Sequence, residues 1–193
     1  MEETAHMETG RLLLRQFALS DAADLLAYAD DAEWVRYQVN VPHPFTGRDA
    51  AEFVRRFADP ASWSTQPMFA MVLEGKVVGQ VYLHFDRADT QNERAELGYM
   101  LSRGLWGKGL ATEAAGAVVD WGFMAKNLHR VYAYCDPRNI ASWRVMEKIG
   151  MQREGLFRQH LKWNGEYRDA LYYGILRSEW HRLDRRKPDE GPR

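Results

Sequence analysis

This sequence has a single cysteine, Cys135. One thiol makes neither a disulfide within the chain nor a thiolate zinc cluster, so no metal site is expected. That scarcity fits a reducing, cytoplasmic compartment. No apolar run approaches the roughly 20 residues that a membrane-spanning helix needs. The opening MEETAHMETG is acidic and polar, unlike a secretory signal. Charge of one sign is missing too: 26 basic against 27 acidic residues leave a formal net charge of −1. There is thus no broad field for nucleic acid or an anionic membrane, although a local basic site stays open. Repeats, low-complexity linkers and composition breaks are absent, so 193 residues read as one domain.

What is present is globular: 46% hydrophobic and 27% charged residues, with seven Trp, nine Tyr and eight Phe to fill a core or line a pocket. A domain is expected over 10–181, with a flexible leader at 1–9 and a flexible tail at 182–193 ending in RRKPDEGPR.

RLLLRQF (11–17) reads as a strand, and Ser20 as the N-cap of a helix through DAADLLAYADD. Phe53, Val54 and Phe57 lie at helical spacing in a segment that Pro60 ends. MFAMVLEGKVVGQVYLHF (68–85) predicts a hairpin about Glu74-Gly75-Lys76, and AELGYML (95–101) a further strand. Leu110, Ala114, Val118 and Trp121 form the stripe of a helix over 109–125. HRVYAYCD (129–136) is a strand, followed by a short helix from Asn139 that Gly150 stops. Residues 155–176 form a hairpin on Asn164-Gly165, and RSEWHRL a helical end. This order predicts an α/β fold: a mixed sheet, parallel near its middle and antiparallel at its ends.

The stretch AELGYMLSRGLWGKGLATEAAGAVVDWGF (95–123) runs from strand through a glycine-flanked loop into a helix. Glycine permits φ > 0 and close backbone approach. The first N–H groups of a helix have no internal partner, and its dipole is positive there. Together these suit an anion such as phosphate. A Walker loop is excluded, because Ser102 and Gly109 stand where Gly and Ser or Thr are required. A dinucleotide fingerprint is excluded by Thr112 in place of its third Gly. A tight turn with no ligand remains the bland alternative.

WGKGLATEA after AELGYML, the segment DPRNIASWRVMEKIGMQREG, the closing WNGEYRDALYYGILRSEW and the opening GRLLLRQFALSDAADL together resemble the GNAT superfamily of N-acetyltransferases. Gly109 and Ala111 match its Gln/Arg-x-x-Gly-x-Gly/Ala signature, while Trp106 replaces the usual Gln or Arg, as in the branch of ribosomal-protein N-terminal acetyltransferases. The resemblance spans about residues 10–181. It implies a mixed central sheet flanked by helices, with two parallel strands splayed to admit acetyl-CoA. It implies that backbone of Tyr99, Met100 and Leu101 carries pantetheine. N–H groups of Trp106, Gly107, Lys108, Gly109, Leu110, Ala111 and Thr112 would then hold the pyrophosphate. Asn139 and Ser142 would stand near the thioester.

Acetyl transfer to an amine requires loss of an ammonium proton, a donor for the oxyanion and protonation of the thiolate. An α-amine of pKa about 8 asks less of a base than lysine at about 10.4. By resemblance Glu96 is the base, with His84 as alternative; a strand-edge ion pair is its structural reading. Met146 stands where many relatives carry an acidic tyrosine, so Ser142 is the candidate partner of the leaving sulfur, with Tyr134 and Tyr172 in reserve. The oxyanion donor is expected to be backbone N–H near Met100. Cys135 is expected as a buried thiol and not as a nucleophile. The region of Trp34 and residues 36–46, with the closing hairpin, is expected to shape the acceptor site, and Asp30, Asp31 and Glu33 to attract a cationic amine. The reading is an acetyl-CoA-dependent N-acetyltransferase acting on a protein N-terminal α-amine. A small amine as acceptor, a non-catalytic acyl-CoA-binding module and a nucleotide-binding protein remain open. A homodimer is a family-level expectation without a signal in the sequence.

Overall fold

The computed structural model describes residues 6–38, 41–85, 91, 93–163 and 165–182, and for Trp34 and Trp163 the backbone alone. In chain order the elements are β1 (Met7–Glu8), β2 (Leu13–Gln16), α1 (Ala22–Ala29), α2 (Ala32–Val35), α3 (Gly47–Ala58), α4 (Pro60–Trp63), β3 (Met68–Leu73), β4 (Lys76–Phe85), β5 (Arg94–Leu101), α5 (Leu110–Ala125), β6 (Arg130–Cys135), α6 (Ile140–Lys148), β7 (Gln152–Trp163), β8 (Glu166–Leu176) and α7 (Arg177–Trp180). Eight strands form one sheet in the order β1-β2-β3-β4-β5-β6-β8-β7. Every pairing is antiparallel except β5 with β6. The mixed sheet is therefore the expected one, with its parallel part reduced to a single pair.

Alternation along the strands feeds two separate cores. Val81, Leu83, Ala95, Leu97, Val131, Ala133, Tyr173 and Ile175 point to one face and bury the apolar stripe of α5 (Leu110, Ala114, Val118) together with Met146 of α6. On the other face Ala70, Val72 and Val77 pack on Leu25 and Tyr28 of α1 and on Ala50, Val54 and Phe57 of α3. That second core reaches Tyr82 and Met100 and contains no residue of β6, β7 or β8. Among the described residues, one face of the sheet is thus left without helical cover over those three strands.

Several local expectations are corrected. Ser20 does not cap α1. Asp21 precedes the helix without a side-chain bond to its N–H groups; its carboxylate closes the short turn before α1, accepting the Ala18 N–H at 2.8 Å and two N–H groups of Arg15 at 2.7 and 2.9 Å, and it is buried at 5% exposure. The partner Arg15 lies on β2, so only folding brings it there. The leader expected at 1–9 is partly structured. Met7 and Glu8 pair with Leu14 and Leu13, and the Thr9 hydroxyl donates to Glu113 of α5 at 2.5 Å. The closing hairpin begins at Gln152 rather than 155. Its turn keeps Gly165 at φ +86°, whereas Asn164 lies outside the described residues. Residues 183–193 of the expected tail and 1–5 of the leader also lie outside them.

Candidate active site

β5 and β6 pair only at Arg94↔Arg130, Ala95↔Val131 and Glu96↔Tyr132. β5 continues to Leu101 and β6 to Cys135, so the strands part after Glu96. A cleft of about 160 Å³ occupies the split. Its lining comes from both faces of the sheet. Tyr82, Glu96, Met100 and Tyr134 border it on the uncovered side, and Tyr99, Cys135, Ser142 and Met146 on the side of α5 and α6. The cleft is therefore a passage through the sheet. A larger hollow of about 420 Å³ lies beside Tyr28, Ser102 and Arg103. Its one carboxylate, Asp31, is bound to Arg103 at 2.7 Å, so the chemistry is assigned to the smaller cleft.

On the uncovered side the central group is Glu96. Burial pushes its carboxyl above the usual carboxylate range, and the Tyr134 hydroxyl beside it acts in the opposite direction. Tyr82, from the neighbouring strand, lies across Gly98: a Cβ at Gly98 would come within 2.1 Å of the Tyr82 ring. Burial raises Tyr82 and Tyr134 well above an ordinary phenol, with the charge of Glu96 adding to the effect. Both phenols stay protonated beside the carboxylate. Tyr134 stacks on Tyr172 with ring centroids 5.1 Å apart and an interplanar angle of 27°. His84 is directly opposite Glu96 in the ladder but exposed to solvent.

On the helical side Asn139 caps α6, its side-chain oxygen accepting the Ser142 N–H at 3.2 Å. The Tyr99 hydroxyl donates to the Ser142 carbonyl at 2.7 Å and sits 3.1 Å from Ser142 Oγ. Burial pushes the Cys135 thiol up to about 11, partly offset by Ser142, so this thiol is protonated and a poor nucleophile at neutral pH. Met146 is buried at 2% exposure against the cleft and has no proton to give.

β5 ends in a turn that leads to α5. Trp106, half exposed, donates from its indole nitrogen to the Leu101 carbonyl at 2.8 Å and so folds the loop back on the strand. Gly107 and Gly109 adopt φ +77° and +79°, which a side chain would strain. None of the N–H groups of residues 107–112 donates to another group among the described residues. The helix mouth is held from outside: Arg11 donates to the Lys108 carbonyl at 2.8 Å and to Glu113 at 2.7 Å. Unpartnered N–H groups, positive φ and a fixed helix mouth are what an anion-binding turn needs, and the residues fit a pyrophosphate. Lys108 is exposed.

The fold brings Glu96, Tyr99, Met100, Asn139 and Ser142 to one cleft, with residues 106–112 following on at the end of β5. Leu101 and Leu110 are turned into the core at 6% and 2% exposure, so only their backbone is available to a ligand. Asp30, Asp31 and Glu33 each have a partner within the protein. Asp30 accepts the Phe45 N–H at 2.9 Å, Asp31 pairs with Arg103, and Glu33 pairs with Arg36 at 3.5 Å. Residues 39–40 and the Trp34 side chain lie outside the described residues. The sequence reading passed over Tyr82, the Tyr99 hydroxyl and Asp136. Asp136 is 2% exposed, and the guanidinium of Arg138, at 2.6 Å, holds it below the usual carboxylate range. The one available signal was the spacing of Tyr82 from Gly98 on two adjacent strands, and it has meaning only once their register is known.

The family model described as acetyltransferase (GNAT) domain matches residues 11–152. The uncharacterized N-acetyltransferase YnaD of Bacillus subtilis (strain 168) is 35% identical over 181 residues, covering 91% of this chain and 99% of that protein. Shorter matches reach proteins with different acceptors in their names. The putative ribosomal N-acetyltransferase YdaF of Bacillus subtilis (strain 168) is 34% identical over 57% of this chain and 59% of its own length. The spermidine N(1)-acetyltransferase of Escherichia coli (strain K12) is 31% identical over 58% and 59%. Among solved structures, Mycobacterium smegmatis RimJ in complex with CoA-disulfide superimposes with a TM-score of 0.80 at 25% identity, covering 93% of this chain and 92% of that one.

Proposed function

The chain belongs to the GNAT family of acetyltransferases and is an acyltransferase, and from that premise we propose that it moves the acetyl group of acetyl-CoA to the α-amine of a polypeptide. The observation that carries the reading is the passage through the sheet, with a largely buried carboxylate on its open side and a turn of unpartnered N–H groups at its end.

Backbone of Tyr99, Met100 and Leu101 would hold the pantetheine arm, because this edge of β5 has lost its partner strand. N–H groups of residues 107–112 would hold the pyrophosphate, that of Trp106 being given to the Arg103 carbonyl at 3.1 Å, and Asn139 would stand by the arm at the α6 cap. When bound, acetyl-CoA supplies an activated acyl carbon and a thiolate leaving group. Glu96 takes the proton of the incoming ammonium. Its raised pKa makes it a stronger base than a surface glutamate, nearer in strength to the amine it serves. Tyr82 and Tyr134, both neutral, keep the surroundings of Glu96 short of solvent. The Tyr99 hydroxyl, its proton given to the Ser142 carbonyl, holds Ser142 on the α6 side, and the Ser142 hydroxyl takes the donor role that Met146 leaves empty.

Two observations favour a polypeptide over a small polyamine. The open side of the cleft gives on to the sheet face that no described helix covers, where Phe157, packed on Tyr172 at 4.6 Å between ring centroids, is exposed at 48%. The acidic groups that would attract a polycation are engaged with the protein's own cations and N–H groups. Thiol release from acetyl-CoA, followed in parallel with a hexapeptide bearing a free N-terminus and with spermidine, tests this. A higher kcat/KM for the peptide is expected. Preference for spermidine would move the acceptor to the small-amine class and leave the transfer chemistry in place.

A further inference from the structure

The β7–β8 hairpin carries an irregularity that pairing alone does not demand. Between Phe157↔Ala170 and Leu161↔Arg168, β7 has residues 158–160 where β8 has only Asp169. The excess is closed by the Gln159 N–H donating to Asp169 Oδ1 at 2.8 Å, with Gln159 in the left-handed region at φ +49°. A bulge re-aims a side chain that regular alternation would send elsewhere. Here that side chain is His160. Its ring lies 5.2 Å from that of Phe157, and its Nε2 is 3.2 Å from the Tyr172 hydroxyl. Tyr172 in turn stacks on Tyr134 at the edge of the cleft, and the negative charge of Glu96 acts on it.

A tyrosine hydroxyl has one proton and two lone pairs. Committed outward to His160 Nε2, the Tyr172 proton leaves lone pairs turned to the cleft, where they accept an N–H of the incoming amine. Released from His160, the same proton would be drawn toward the negative charge of Glu96, the group that must take the ammonium proton. The bulge thus puts His160 where it can fix the polarity of a hydroxyl that its own residues do not contain.

We propose that His160 is a positioning residue for the acceptor, holding Tyr172 as a hydrogen-bond acceptor toward the amine and so governing amine KM. The proposal rests on the reading of Glu96 as the base. Its test begins without activity. The ¹⁵N shifts of His160 in the whole protein report its tautomer, and the proton is expected on Nδ1, leaving Nε2 to accept. A proton on Nε2 overturns the proposal. Kinetics follow with whichever of the two probes, hexapeptide or spermidine, is turned over. H160F keeps the ring packing and removes the bond; it is expected to raise amine KM about 5- to 10-fold, with kcat and acetyl-CoA KM within about twofold. H160Q, which retains an acceptor, restores most of the loss. Y172F gives the same rise, and the double variant H160F/Y172F gives no more. An unchanged amine KM in H160F, or additive effects in the double variant, overturns the proposal. E96Q run alongside separates the failures. Loss of turnover in E96Q with a silent H160F removes His160 and keeps the base. Full turnover in E96Q removes the base and the reason for Tyr172 to face away from it.

Discussion

The two ends of the cleft are made of different material. At the proposed cofactor end the ligand-facing groups are backbone: the unpaired edge of β5 and the N–H groups of residues 107–112. At the proposed acceptor end they are side chains, Glu96, Tyr82 and Tyr134, contributed by β5, β4 and β6, with Tyr172 of β8 stacked behind Tyr134. A backbone site tolerates many side chains so long as its glycines keep φ > 0. A side-chain site depends on each residue and on what pins it. One cosubstrate with variable acceptors is the arrangement such an asymmetry serves, and it agrees with relatives named for different acceptors.

The comparison breaks most sharply at Glu96. Glu96→Gln is expected to lower kcat by about 10²- to 10⁴-fold and to leave acetyl-CoA affinity, read by calorimetric titration, within about twofold. Equal loss at both ends would mean that the two are not separable. Next in size is Gly98→Ala, whose Cβ would lie 2.1 Å from the Tyr82 ring and must push it off the strand. A drop of about 10- to 100-fold in turnover, with acetyl-CoA KM little changed, is the expected signature of a displaced acceptor wall.

Gly109→Ala should do the reverse. It strains a residue at φ +79° at the helix mouth, raising acetyl-CoA KM about 5- to 10-fold and lowering stability by about 1 kcal/mol, with amine KM unchanged. A rise in amine KM alone would contradict the division drawn here.

Asp136→Asn removes the charge of a carboxylate that is 2% exposed and bound by Arg138. About 1–3 kcal/mol of stability at neutral pH should be lost by denaturant titration. Because Arg138 depresses the folded pKa of Asp136, its contribution is present above the unfolded value of 3.8 and is lost as pH falls through the folded one. The gap between wild type and variant should close in acid.

The smallest effect has the opposite sign. The folded pKa of Glu96 is raised, so the native state binds more protons and this group costs stability as pH rises from 4.5 upward. Glu96→Gln should therefore be slightly more stable than wild type at pH 7 and equal to it below about pH 4. A variant destabilised at pH 7 would argue that Glu96 is a structural ion-pair partner.

Much of the cofactor end could be read in advance. Gly107, Lys108 and Gly109 are contiguous, the helix that follows declares itself by Leu110, Ala114 and Val118, and Asn139 stands three residues before the Ser142 whose N–H it caps. The acceptor end was legible only in its carboxylate and two reserve tyrosines. Tyr82 and Gly98 are meaningful as a pair across β4 and β5, and His160 reaches Tyr172 only through a bulge that no turn residue announces. Ser20 was misread for a similar reason, since the turn before α1 is closed by Asp21, which Arg15 of another element holds.

By itself the sequence determined most of the elements, their alternating faces and the glycine turn at the mouth of α5, because helix period, strand period and glycine conformation act over a few neighbouring residues. Tertiary structure alone decided that β8 and not β7 lies beside β6, that β5 and β6 part after Glu96, and that the face over β6 to β8 stays uncovered. Those outcomes turn on how distant strands share edges and how two cores divide one sheet. They put Glu96 within reach of phenols from three other strands, and no local pattern along β5 encodes that.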